Sequence, residues 1–91
     1  MKIKVYPEKT FIKALKKLPP DRSKAAVNSL AKFSEEPSTN SLRFRRLEGT
    51  NCFYIINGKH GDRIILRQNS EVHYSAIDVA PHDTIYKKWN R

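Results

Sequence analysis

The spacing of apolar side chains divides the chain near residue 40. In "KIKVY", residues 2–6, Ile3 and Val5 alternate with charged positions, the period of a half-buried strand. Pro7 and Glu8 suit the first turn of a helix, where a missing N–H costs nothing and a carboxylate faces the positive end of the dipole. Phe11, Ile12, Leu15 and Leu18 then recur at helical spacing, while Lys9, Lys13, Lys16 and Lys17 take the remaining surface. An amphipathic helix with a basic outer face is therefore expected over residues 7–18. "PPDRSK" interrupts it and opens a second helix carried by Ala25, Ala26, Val27, Leu30, Ala31 and Phe33, which ends before Pro37. The short link between the two predicts an antiparallel helical hairpin. Glu35 and Glu36 sit at the negative end of that helix, and the sequence offers no stabilising account of them.

Beyond the loop "EEPSTNS" the period shortens to two. "LRFRRL" alternates Leu42 and Phe44 with basic residues, "CFYIIN" is a β-branched and aromatic run, and "DRIILRQ" and "EVHYSAIDV" follow at short spacing. Gly49, Gly58 and Gly61 fall between these runs. "NGKHGD" is the strongest hairpin signal, because Asn57-Gly58 favours a tight two-residue turn. The segment from Pro81 has room for one or two helical turns. The sum is one α+β domain over residues 1–91, with a first strand and two N-terminal helices packed on a curved antiparallel sheet of about four strands. A short C-terminal helical tail completes it.

Charge sharpens the picture. Eighteen Lys and Arg against nine Asp and Glu leave +9 on 91 residues, so the natural partners are polyanions. Solubility alone is the plainer explanation, but the charge is concentrated in particular segments. No apolar run reaches the roughly 20 residues needed to span a bilayer, no helix has a large aromatic face for a membrane surface, and "MKIKVYPEKT" does not read as a secretion leader. A single cysteine, Cys52, fits a reducing interior, and a cytoplasmic protein is expected.

Arg43, Arg45, Arg46, Arg63 and Arg67 all fall on expected strands. Alternation puts Arg43 with Arg45 on one face, and Arg63 with Arg67 on a common face. On neighbouring strands these guanidiniums would form a rigid phosphate cradle, since they bind phosphate bidentately and keep their charge; singly, each is as readily a solvated sheet residue. Neither His60, His73 and His82 nor Cys52 has metal-ligand spacing, and no metal or other cofactor is expected. RNA brings its own nucleophile, the 2′-hydroxyl beside the phosphate, so a catalyst needs only a proton acceptor, a proton donor and positive charge for the five-coordinate phosphorus. DNA lacks that hydroxyl. His82 is the best candidate for proton transfer, because an imidazole titrates near 6.5. Tyr86, one helical turn later, would project from the same side to orient a phosphate or stack on a base. A surface histidine beside a core tyrosine is the ordinary alternative. Lys59 and His60 in the glycine-flanked turn, and Lys87 in the tail, complete the groups expected to meet RNA, while His73 reads as an exposed strand residue.

In this order, "FIKALKKLP", "LRFRRLEG", "FYIINGKHGDRIIL" and "VAPHDTIY" resemble the RelE/ParE superfamily of bacterial toxin–antitoxin toxins over most of the chain. The resemblance implies two N-terminal helices against a twisted antiparallel sheet, and a cognate antitoxin that wraps the toxin in a hetero-oligomer. Its ribonuclease branch enters the A site of the 70S ribosome and cuts mRNA without metal, leaving a 2′,3′-cyclic phosphate. By position, Arg63 matches the sheet arginine that stabilises the scissile phosphate, His82 the C-terminal histidine used as acid or base, and Tyr86 the aromatic residue four places later. The substrate would then contact Arg43, Arg45, Arg63 and Arg67. This chain departs from the prototype at Tyr54 and Ile56, where lysines are usual, so Arg45 or Arg67 would have to supply that charge. The superfamily also holds gyrase poisons, so a non-ribonucleolytic poison, a basic nucleic-acid-binding module, or an inactive toxin kept with its antitoxin are the competing expectations.

Overall fold

Three consecutive side chains set the architecture. Ile64, Ile65 and Leu66 are all fully buried although successive strand residues point to opposite faces, so the sheet must be covered on both sides. The computed structural model describes residues 2–89 and supplies both covers. The elements are β1 (Lys4–Pro7), α1 (Lys9–Lys16), α2 (Pro20–Glu35), β2 (Arg45–Arg46), β3 (Phe53–Asn57), β4 (Asp62–Gln68), β5 (His73–Pro81) and α3 (His82–Trp89). The five strands lie in the order β1, β5, β4, β3, β2. On one face Phe11, Ala26 and Phe33 of the helix pair meet Ile56, Ile64, Leu66, Tyr74 and Val79. On the other, Ile85, Tyr86 and Trp89 of α3 close over Leu47, Phe53, Ile55 and Ile65.

The α+β class, the two helices and the helical tail agree with the sequence reading. Three details differ. The four antiparallel strands, β2 to β5, are joined by β1, which runs parallel to β5 with Lys4 opposite His73 and Pro7 opposite Ala76. That pairing joins segments about seventy residues apart, and no local pattern encodes it. The first helix starts only at Lys9, because Pro7 ends β1 and Glu8 donates its N–H to the Ala76 carbonyl. The β3–β4 hairpin forms, but not through a two-residue turn: Gly58 is extended, Lys59–Gly61 make a 3-10 turn, and His60 and Gly61 carry the positive φ of 62° and 79°. The Gly58 N–H closes it onto the Asp62 carbonyl at 2.7 Å.

Two acidic side chains left unexplained by sequence find partners. Glu36 accepts the Ser38 hydroxyl at 2.7 Å, and this bond holds its carboxyl below the usual range. Glu35 lies 3.8 Å from Lys2 at the surface. On β5 the register slips by one between Leu66–Ala76 and Ile65–Asp78, leaving Ile77 as a bulge. There the buried Asp78 accepts the Trp89 indole N–H at 3.0 Å and meets Lys88 at 2.9 Å, which ties the end of α3 to the sheet.

Candidate functional site

The end of β5 runs directly into α3, so the first turn of that helix starts beside the first residues of β4, where Asp62 faces Pro81 and Arg63 faces Ala80. His82 is therefore delivered to the Arg63 end of the sheet. Four residues on, Tyr86 lies under it with ring centroids 4.5 Å apart. The Tyr86 hydroxyl accepts a hydrogen bond of 3.0 Å from Arg45 of β2, and Arg45 donates another of 3.2 Å to the Asn57 amide oxygen at the end of β3. Asn57 is in turn the register partner of Arg63. Hydrogen bonds thus run from Tyr86 through Arg45 to Asn57, with the His82 ring against Tyr86 at one end and Arg63 opposite Asn57 in the backbone register at the other, a chain of neighbours across α3 and three strands.

Within this chain the groups are held to different degrees. Arg45 is fixed by three bonds, the third to the Arg43 carbonyl. His82 is exposed, with Nδ1 3.1 Å from Asp83. A carboxylate only accepts, so this contact puts a proton on Nδ1 and leaves Nε2 as the nitrogen that exchanges one. Arg63 donates from one Nη to the Asp62 carbonyl at 2.9 Å, while its Nε is buried without any acceptor. An unmade bond of this kind costs roughly 1–3 kcal/mol. Beneath it, the buried Asp62 carboxylate receives both Nε and Nη2 of Arg22 from α2, a two-pronged pair that pins the start of β4 and holds the Arg22 guanidinium more firmly protonated.

The remaining sequence candidates fall elsewhere. Arg43 is not on a strand: it caps a 3-10 turn, Asn40–Leu42, at φ 47°, so it does not share a strand face with Arg45 as alternation implied, and only its carbonyl reaches the chain. Arg67 does share the α3 side of β4 with Arg63, but it lies at the opposite end, paired with Glu8 at 3.2 Å and Asn69 at 3.1 Å. Lys59 and His60 line a groove against α2, and Lys87 is exposed on α3. His73 stands at the far end of β5, bonded to Ser70 at 3.1 Å. Among the described residues no three His, Cys, Asp or Glu side chains are grouped as metal ligands, and no helix is long and apolar enough to cross a membrane.

Asn57 is the residue that sequence reasoning missed. Its Asn-Gly context reads as turn chemistry, whereas its amide joins two strands through Arg45. The Arg22–Asp62 and Asp78–Trp89 ties were equally invisible, since each links elements distant in sequence.

No protein-family model matches the chain, and no curated protein does either. Solved structures do match. A free Escherichia coli RelE toxin carrying two arginine-to-alanine substitutions aligns with a TM-score of 0.72 and 17% identity, over 98% of this chain and 95% of that one. The RelB–RelE antitoxin–toxin complex of Methanococcus jannaschii gives 0.71 and 22% over 92% and 98%. A RelBE toxin–antitoxin complex of Mycobacterium tuberculosis gives 0.72 and 19% over 89% and 99%. At these identities the likeness is one of architecture, and it extends over nearly the whole of each molecule: this chain has the fold of the RelE toxins.

Proposed function

We propose that this chain is a RelE-family toxin of a type II toxin–antitoxin pair, acting in the cytoplasm as a metal-independent endoribonuclease on mRNA in the ribosomal A site, and neutralised by a cognate antitoxin. The observation that supports the reading is the bonded set Tyr86–Arg45–Asn57, flanked by the His82 ring and by Arg63 in register with Asn57, on a RelE fold. His82 Nε2 takes the proton from the 2′-hydroxyl as its oxygen attacks phosphorus; the leaving 5′-oxygen draws a proton from solvent, to which the imidazolium returns the one it took, giving a 2′,3′-cyclic phosphate and a 5′-hydroxyl. Arg63 and Arg45 stabilise the charge that builds on the phosphoryl oxygens. Arg63 is suited to this because its guanidinium spends only one Nη bond, on a neighbouring carbonyl, and a phosphate offers its Nη groups charge-assisted bonds. Tyr86, held by Arg45, presents a ring on which the reacting base stacks. Arg43, Lys59, His60, Lys87 and, more remotely, Arg67 add positive potential along the path of the strand.

Induced expression followed by mapping of transcript ends is the decisive experiment. Breaks phased with codons are expected from the wild type, and none from His82→Ala, which should stay folded because the side chain is exposed. Growth arrest with intact transcripts and a DNA-damage response would instead identify a gyrase poison. Full toxicity of His82→Ala would remove the histidine from the mechanism.

A further inference from the structure

Outside the catalytic chain, a groove of about 720 Å³ lies between α2 and the β3–β4 turn. Its α2 wall is a polar stripe at helical spacing: Lys24, Asn28 and Lys32, with the small Ala25 and Ser29 between them. The opposite wall is Lys59 and His60. Small side chains along the floor leave room for a chain to lie close against the helix. Lys24, Lys32 and Lys59 are exposed and make no ion pair among the described residues, and the single acid on the rim is Asp21. Lys24 and Lys32 stand roughly 12 Å apart along the helix, far enough to meet different phosphates of one strand.

Two further observations orient this groove. His60 is held at φ 62°, a left-handed conformation uncommon for any residue but glycine, and it stands exposed on the groove wall. Asn57 lines the same groove and accepts the Arg45 hydrogen bond, so the groove opens onto the catalytic chain through a shared residue. We propose that this groove is a binding track for single-stranded RNA, holding the sugar–phosphate backbone that flanks the scissile bond. Lys24 and Lys32 meet phosphates, and Asn28, Ser29 and His60 offer hydrogen bonds to ribose and phosphate oxygens. The inference rests on the reading of the chain as an RNA-cutting toxin, and deepens it by adding a site away from the chemistry. An acidic peptide has a charge that would also suit the lysines. RNA is favoured because the groove continues through Asn57 into the arginine cluster, where a phosphate chain finds further charge.

The test uses the full chain and a single-stranded oligonucleotide with 2′-O-methyl riboses, which cannot be cut, read by fluorescence anisotropy across a salt series. Removing two phosphate contacts with the Lys24→Gln/Lys32→Gln double variant is expected to lower the salt slope by about 1.4 and the affinity at about 0.1 M salt by roughly 20-fold. Asn28→Glu, which places a carboxylate in the middle of the groove, should weaken binding as well, while Lys24→Arg/Lys32→Arg should retain it. Wild-type affinity in both charge-altering variants overturns the proposal. So does a wild type that holds a polyglutamate peptide but no RNA, or neither. A wild type that binds through Lys24 and Lys32 yet cuts no transcript would sink the nuclease reading and leave the groove standing.

Discussion

Arg63 and Arg67 are the same residue type, on the same strand and the same side of the sheet, four positions apart; their surroundings give them different work. At the Arg67 end, the guanidinium is shared between Glu8 and Asn69, and Tyr54 donates to Gln68 next to it at 3.3 Å. Polar groups there answer one another and join β4 to the start of α1. At the Arg63 end the guanidinium has one bond to a neighbouring carbonyl and a buried Nε with no acceptor among the described residues, although Asn57 stands opposite it in the register and is itself bonded to Arg45. Hydrogen-bonding capacity left unspent beside a well-ordered network is what distinguishes a place built to meet a ligand from a place built to hold the fold.

The sharpest way to break this contrast is to remove each arginine in turn. Arg63→Gln should lower transcript cleavage by about 10²–10³-fold, the range typical of losing one donor that stabilises transition-state charge, while Arg67→Gln, which removes only a remote and screened charge, should lower it far less. Equal losses from both would mean that the cradle spans the strand and that the distinction between its ends is false. Asn57→Ala comes next. It frees one Nη of Arg45 from its amide partner, and losing a bond to a charged group is worth about 1.5 kcal/mol, or roughly ten-fold in rate. Asn57 acts through Arg45, so Asn57→Asp, which keeps the acceptor, should restore the rate. A loss confined to thermal stability, with no rescue, would reduce Asn57 to a structural residue.

The contrast also explains what could be read from sequence. Helical and alternating periods located α1, α2 and β3 to β5, because each element buries a continuous local stripe. The proximity of His82 and Tyr86 followed from the same rule, one helical turn apart. Long-range choices were hidden. The parallel register of β1 on β5, the reach of Arg67 to Glu8 and the tie from Arg22 to Asp62 depend on which distant segments meet. Arg43 and His60 misled for a different reason. Both adopt positive φ, a conformation that side-chain pattern does not signal outside glycine, asparagine and aspartate, so the strand alternation drawn through Arg43 and the tight turn drawn before His60 both failed locally.

At the structural end of β4 the expected effects are small and fall on stability. The Arg67–Glu8 pair is well exposed on both sides, about 40% and 41%, so Arg67→Gln should cost about 0.2–1 kcal/mol in urea unfolding, and less as salt is added. A loss of several kcal/mol would show that the pair is clamped more tightly than its exposure implies.

Smallest of all is a titration beside it. Tyr74 pairs with Gln68 in the sheet and packs among Phe33, Phe44 and Tyr54; burial, with a lesser contribution from Tyr54, pushes its phenol above the ordinary value near 10. A group whose folded-state pKa is raised keeps its full contribution below the unfolded value and loses it as pH rises through the folded one. Part of the alkaline destabilisation above about pH 10 should therefore belong to Tyr74, and Tyr74→Phe should flatten that limb of the stability profile while leaving neutral-pH cleavage per folded molecule intact. The two proteins differ by one hydroxyl, so the difference between the two curves isolates the phenol. Superimposable alkaline limbs would show that this ring ionises without disturbing the core. A cleavage defect in Tyr74→Phe would carry the chemistry to the end of the strand that Arg67 and Glu8 were assigned to hold together.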